Sequence, residues 1–309
     1  MRRVAAVDCG TNSIRLLVAD LDAAAGTLTD LDRRMEVVRL GEGVDRTGRL
    51  APEALRRTFA ACDRYAAVVR ETGAERVRFV ATSASRDVEN RDEFVAGVRD
   101  RLGVEPEVVT GDEEAALSFA GATRELAGTD LARPFLVVDI GGGSTELVLG
   151  GTSVEAARSV DVGCVRMTER HLHDDPPTPA QVAAARADVE AGVALAAETV
   201  PMEQAGTLVG LAGSVTTVAA MALDLPAYDR DAIHHSRIAA EDVHRVAQRL
   251  LAMTHDERAA LPFMHPGRVD VIGAGALVLS VVVARAGVDS VVVSEHDILD
   301  GIAWSIAGW

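Results

Sequence analysis

A ten-residue pattern occurs twice in this chain. Val7-Asp8-Cys9-Gly10-Thr11-Asn12-Ser13-Ile14-Arg15-Leu16 is matched by Val138-Asp139-Ile140-Gly141-Gly142-Gly143-Ser144-Thr145-Glu146-Leu147, an offset of 131 residues from Asp8 to Asp139. Valine, aspartate, glycine, serine and leucine recur at matching places. Each copy is an apolar run, a turn of small residues and a second apolar run, the pattern of two strands joined by a hairpin. A repeat at this distance implies a duplicated unit. With 309 residues, each copy has room to open a domain of ordinary size.

The segments after the two hairpins share one plan. In the first half a third strand is predicted near Arg34 to Leu40, and a helix from Ala51 to Glu71 with Pro52 in its first turn. Arg76 to Ala81 reads as a strand, and Arg91 to Leu102 and Gly111 to Leu126 read as helices. Ala127 to Arg133 is the expected hinge. In the second half three strands lie between Pro134 and Val162, then a helix from Pro179 to Glu198 and a strand from Thr207 to Leu211. Such alternation predicts an α/β architecture. The expected domains are residues 1–126 and 127–309, with the last helix available to pack back on the first domain.

Composition removes several classes of function. The formal net charge is −16, and all 31 basic residues are arginine. Without lysine there is no P-loop and no Schiff-base chemistry. The acidic balance argues against nucleic-acid or anionic-membrane binding, which depends on neutralising phosphate. No apolar run approaches the ~20 residues of a membrane span, and Val271 to Ala286 reads as a buried helix. Cys9, Cys62 and Cys164 are scattered, with no CxxC pair, and are expected to be reduced thiols of a cytoplasmic protein.

The chemistry concentrates in the turns. Asp-x-Gly-x-x-Ser in a hairpin places several backbone N–H groups around a concave nest that suits phosphate. Thr11, Asn12, Ser13 and Ser144 add side-chain donors, and Gly141, Gly142 and Gly143 let the main chain approach a ligand. Asp8 and Asp139, at the strand ends, are candidate Mg²⁺ ligands. The alternative for either turn alone is a tight turn whose aspartate bonds locally. A third glycine-rich element, Gly210-Leu211-Ala212-Gly213-Ser214, runs from strand to helix, so Gly213 and Ser214 can offer helix N-terminal amides to an anion.

With these elements assembled, the chain resembles the exopolyphosphatase and guanosine pentaphosphate phosphohydrolase (Ppx/GppA) family. The resemblance rests on Asp8 to Ser13, Arg39-Leu40-Gly41-Glu42-Gly43, Ala81-Thr82-Ser83-Ala84-Ser85-Arg86-Asp87, Gly111-Asp112-Glu113-Glu114-Ala115 and Asp139 to Glu146, in family order and spacing. It implies the duplicated actin/hexokinase-like (ribonuclease H-like) superfold, with the active site in a cleft between two domains. It also implies Mg²⁺-dependent hydrolysis of the terminal phosphoanhydride of inorganic polyphosphate or guanosine pentaphosphate, and a homodimer as candidate assembly. Longer relatives add C-terminal helical domains beyond this length.

The resemblance places the catalytic carboxylate in the Glu113-Glu114 pair, carried here to Glu114, which would orient and deprotonate the attacking water. Acidic residues in a first helical turn also have a plain dipole explanation. Two like unit charges ~6 Å apart repel by about 3 kcal/mol at an effective dielectric of ~20, so a carboxylate near phosphate needs cations beside it. Arg86 is the candidate phosphate-binding arginine, with Arg39 and Arg268 as secondary contacts. Glu146 is a further Mg²⁺ ligand or an anchor for Arg86. A phosphotransferase and a non-hydrolytic nucleotide switch share these loops and remain alternatives. His171-Leu172-His173-Asp174-Asp175 and His234-His235 are read as surface features, and Ser294-Glu295-His296-Asp297 as a capping box. Cys9 is read as a packed spectator that could oxidise. The Arg-Glu-Gly run that family members often carry in the final helix is here Leu299-Asp300-Gly301.

Overall fold

A computed structural model describes residues 1–86 and 88–307; Asp87, in one of the motif stretches, lies outside the described residues. The chain forms two compact units: Met1–Gly121 with the segment beginning at Ile298, and Ala122–Asp297.

In the first unit the strands are β1 (Arg2–Cys9), β2 (Ser13–Asp22), β3 (Thr27–Val37), β4 (Arg76–Ala81) and β5 (Glu107–Val108), in the sheet order β3-β2-β1-β4-β5. β1, β2 and β3 run antiparallel in sequence, and β4 and β5 add on parallel. Helices α1 (Val44–Thr47), α2 (Pro52–Thr72), α3 (Ser83–Arg86), α4 (Arg91–Leu102) and α5 (Gly111–Thr123) lie between and after the strands. β1 is apolar from Val4 to Val7 and buried from Val4 to Cys9, because both of its faces are covered there. Ala5, Val7 and Cys9 join the core with Leu55, Tyr65 and Phe94 of α2 and α4. Val4 and Ala6 join a second core with Ile298, Leu299, Ile302 and Trp304 of the last helix.

In the second unit the strands are β6 (Phe135–Ile140), β7 (Thr145–Gly150), β8 (Val154–Val160), β9 (Thr207–Leu211), β10 (Arg237–Ala239) and β11 (Ser290–Val293). Their order is β10-β11-β9-β6-β7-β8. From β8 inward this repeats the first sheet, strand for strand, with β10 as an added antiparallel edge. The helices are α6 (Cys164–His171), α7 (Pro179–Ala197), α8 (Ala212–Ala222), α9 (Arg230–Ile233), α10 (Ala240–Ala252), α11 (His255–Ala259) and α12 (Ile272–Ala286); α13 (Ile298–Ser305) returns to the first unit. α12 is buried along nearly its full length, and it packs with α7, α8 and α10 over one face of the sheet. This is the duplicated actin/hexokinase-like (ribonuclease H-like) superfold.

Two elements depart from the sequence expectation. β3 starts at Thr27, paired with Asp22, and stops at Val37. Arg39 then takes a left-handed backbone (φ 49°), which ends a strand. The N–H groups of Val38 and Arg39 turn to the carbonyl of Asn12 instead. α5 ends at Thr123, and a 3₁₀ turn, Glu125–Gly128, comes next where helix was expected. Among the described residues no helix is long and apolar enough to cross a membrane. The three cysteines are free and buried.

Candidate active site

The two hairpin turns share one backbone design. Gly10 N–H donates to Ser13 O at 2.9 Å, and Gly141 N–H to Ser144 O at 3.0 Å. Both closures leave the middle of the turn as a small arc. In the second turn the N–H groups of Gly142 and Gly143 donate to no acceptor among the described residues. N–H groups arranged in such an arc suit an anion.

Each turn is gripped from behind by a different device. In the first, Gly41 N–H donates to Thr11 O at 2.8 Å. The approach is so close that a Cβ on Gly41 would stand 2.3 Å from Cγ2 of Thr11. The Thr11 hydroxyl shares a 3.0 Å hydrogen bond with Ser83. In the second, the first turn of α6 donates to the glycines: Cys164 N–H to Gly141 O at 2.9 Å and Val165 N–H to Gly142 O at 2.9 Å. A Cβ on Gly163 would lie 2.3 Å from Gly142 O, so only glycine fits there.

The aspartates have different company. Asp8 is the register partner of Arg15 on β2, and the guanidinium donates to Asp8 Oδ2 from Nη2 at 2.7 Å and from Nε at 2.9 Å. The sequence expectation of Asp8 as a Mg²⁺ ligand therefore meets a built-in cation on the same oxygen. Asp139 is the register partner of Glu146, which is in turn opposite Ser159. Directly opposed residues project to the same face with Cβ atoms about 5 Å apart. Both carboxylates are buried, at 7% and 1% exposure. The Ser159 hydroxyl donates to Glu146 Oε1 at 2.7 Å. An all-oxygen carboxylate set of this kind fits a hard divalent cation.

The two adjacent glutamates of α5 part company. Glu113 closes a capping box with Thr110: its Oε2 accepts from Thr110 N–H at 3.0 Å, and its own N–H donates to Thr110 Oγ1 at 3.2 Å. Glu114 is buried, and its Oε2 accepts from Arg86 Nη2 at 2.6 Å. Arg86 Nε donates to the carbonyl of Val109 at 3.0 Å. The arginine expected to reach phosphate thus has its fork on the carboxylate expected to act as base. Arg39 is exposed.

The third glycine-rich element forms the start of α8. Ala212 has a left-handed backbone (φ 66°) that bends the chain from β9 into the helix. The Arg268 guanidinium lies against Gly213, where a Cβ would stand 2.4 Å from Cζ. Arg268 also donates to Thr217 Oγ1 at 3.2 Å and sits over the Tyr228 ring. A guanidinium beside the positive end of a helix gains from an anion shared between them. Ser214 is different. Its hydroxyl packs where a Gly275 side chain would be, 2.2 Å from that Cβ position, next to the Cys164 side chain. Its backbone, not its side chain, is what it offers at the helix start.

Other residues here were not marked by any local pattern. The Tyr228 hydroxyl donates to Glu295 Oε1 at 2.6 Å and also bonds Thr216 at 2.9 Å. Burial pushes the Tyr228 phenol up to about 12. Burial also raises the Cys9 and Cys164 thiols, which keeps both as unreactive thiols rather than thiolates. The His171–Asp175 stretch is a surface feature with structural bonds: His171 Nε2 meets Asp188 at 2.9 Å, and Asp175 accepts from Arg258 and from His255 N–H. Ser294 bonds His296 N–H and its carbonyl, a local turn in place of the expected capping box.

Exopolyphosphatase 2 of Mycobacterium tuberculosis is 55% identical over 319 aligned positions, covering 100% of this chain and 99% of that protein. The guanosine-5'-triphosphate,3'-diphosphate pyrophosphatase of Photobacterium profundum is 36% identical over 172 residues, 55% of this chain and 33% of that protein. The crystal structure of an exopolyphosphatase-like protein superposes with a TM-score of 0.95 at 45% identity, over 99% of this chain and 97% of that one. The model of the Ppx/GppA phosphatase family matches residues 17–307. This chain is therefore a hydrolase that belongs to the Ppx/GppA phosphatase family.

Proposed function

We propose that the protein hydrolyses the terminal phosphoanhydride of inorganic polyphosphate or of guanosine pentaphosphate, releasing orthophosphate, with Mg²⁺ as cofactor. The observation that carries the assignment is Glu114. It is the buried member of an acidic pair at a helix start, held at 2.6 Å by an arginine, in a chain 55% identical to an exopolyphosphatase. The engagement of Glu113 in the helix cap supports Glu114 as the base.

The roles rest on the donors each group presents. Phosphoryl transfer passes through a loose transition state, so positioning and charge stabilisation carry most of the catalysis. Glu114 orients the water and accepts its proton. Arg86 fixes that carboxylate, and its fork can turn to a phosphate oxygen when one arrives. The nests at Thr11, Asn12 and Ser13 and at Gly141 to Ser144, with Gly213 and the Ser214 amide, hold phosphate oxygens. Asp139 and Glu146 would hold the Mg²⁺ ion. Bound there, the ion would act as a Lewis acid, offsetting negative charge on the phosphate oxygens.

The test is orthophosphate release with Mg²⁺ from short polyphosphate, long polyphosphate, guanosine pentaphosphate and ATP, with Glu114→Ala beside the parent. Loss of a positioned general base lowers the rate by about 10²–10⁴-fold. Release from polyphosphate or the pentaphosphate that collapses in the variant supports the assignment. Undiminished release in Glu114→Ala removes Glu114 as base, and no release from any substrate removes the hydrolase reading.

A further inference from the structure

We propose that Glu125, His234 and His296 form a binding site for a divalent transition-metal ion of the zinc class, separate from the Asp139 and Glu146 carboxylates. The three residues come from distant parts of the chain. Glu125 opens the 3₁₀ turn after α5, His234 comes directly after α9, and His296 precedes α13. All three belong to the second unit. Nε2 of His234 and Nδ1 of His296 each stand 3.1 Å from the same Glu125 Oε2. One ligand atom from each residue lies within 4.8 Å of the others. The two rings are 4.8 Å apart between centroids, and His235 stacks on His234 at 3.7 Å.

The donor set decides the class of ion. Two imidazole nitrogens and a carboxylate oxygen suit zinc and its neighbours, whereas Mg²⁺ prefers oxygen throughout. A histidine must be neutral to bind metal. Glu125 is exposed and the two ligating rings are half-buried, which gives an ion a way in. Three protein ligands leave a coordination position for water.

Metal binding has a local cost and a reach. His234 Nδ1 accepts the Glu295 N–H at 3.1 Å. A metal on Nε2 puts the ring's remaining proton on Nδ1, so that N–H must turn away. The site is therefore weaker than a closed four-ligand zinc site, and loading reshapes the segment around Glu295. The chain leaves the first unit at Gly121 and re-enters it at Ile298. Glu125 and His296 sit just inside those two passages, and one ion would tie them together.

The experiment is calorimetric titration of the metal-free, full-length protein with zinc chloride in saturating Mg²⁺, on the parent, Glu125→Gln, His296→Ala and Asp139→Asn. The expected result is one zinc per chain, unaffected by Asp139→Asn and weakened by about tenfold or more in the other two. Circular dichroism checks that each variant is folded, and Glu125→Gln, at an exposed position, keeps the test valid if His296→Ala is not. Absence of zinc binding, or equal binding in Glu125→Gln and the parent, would overturn the site. Loss in Asp139→Asn alone would place the ion on the carboxylates instead.

Discussion

The two hairpins are copies of one unit, yet they manage charge in opposite ways. Their turns close with the same glycine-to-serine hydrogen bond, at 2.9 and 3.0 Å. Their first strands carry aspartate at the same place. The residue facing that aspartate from the second strand differs: Arg15 opposite Asp8, Glu146 opposite Asp139. The first copy neutralises its acid internally, with a pair that is largely buried. The second sets two acids side by side and suits a cation from outside. A duplicated unit can thus keep its backbone and divide the work, one copy as a self-contained support and the other as the proposed metal-holding half.

The sharpest way to break this comparison is to write the first copy's pair into the second. Glu146→Arg should give Asp139 a permanent guanidinium partner and displace Mg²⁺. Several kcal/mol of charge stabilisation would go with the ion, so orthophosphate release should fall by about 10³-fold. A variant that keeps both its rate and its Mg²⁺ dependence would remove Glu146 and Asp139 from the metal site. The reverse change is Arg15→Ala. It leaves Asp8 buried without the cation built for it, and breaking such a pair costs about 3 kcal/mol, the lower end of the usual range because Arg15 is partly exposed. Urea unfolding at neutral pH measures this, and Asp8→Asn in the same chain should recover part of the loss. The smallest contrast is at the glycines behind each turn. Gly163→Ala meets backbone, Gly142 O, and should destabilise by about 1–3 kcal/mol with no simple remedy. Gly41→Ala meets chiefly the methyl of Thr11, so Thr11→Ser should relieve most of its cost. Thermal melts of Gly163→Ala, Gly41→Ala and the Gly41→Ala/Thr11→Ser double variant give the comparison directly.

Much of this could be read in the chain, for a definable reason. The duplication shows because both copies use the same strand–turn–strand backbone, which local residue patterns specify. Arg76 to Ala81 and Arg91 to Leu102 match their observed elements because apolar periodicity and the Gly103 stop are local signals. Arg15 and Glu146 stood in the aligned decapeptides, but that they face the two aspartates is a matter of strand register. The Arg86–Glu114 pair joins residues 28 apart, one on α3 and one on α5, which no motif encodes. From the sequence, His234 and His235 read as surface features. Their partners arrive from Glu125 and His296, and only tertiary structure supplies that convergence. The end of β3 was misplaced because Arg39 adopts a left-handed backbone that its identity does not announce.

The last helix carries a consequence for how the molecule is made. α13 covers the face of the first sheet formed by Val4, Ala6, Leu17 and Val80, and its Asp300 pairs with Arg33. Gly301 lies so near α5 that a Cβ would stand 2.0 Å from Leu117 O. These groups are synthesised after the whole of the second unit. At ~5–20 residues per second, the sheet of the first unit waits on the ribosome for roughly ten to forty seconds with one apolar side uncovered. The continuous second unit can complete its core first, although its residues emerge later. The unit that emerges first is thus the one completed last.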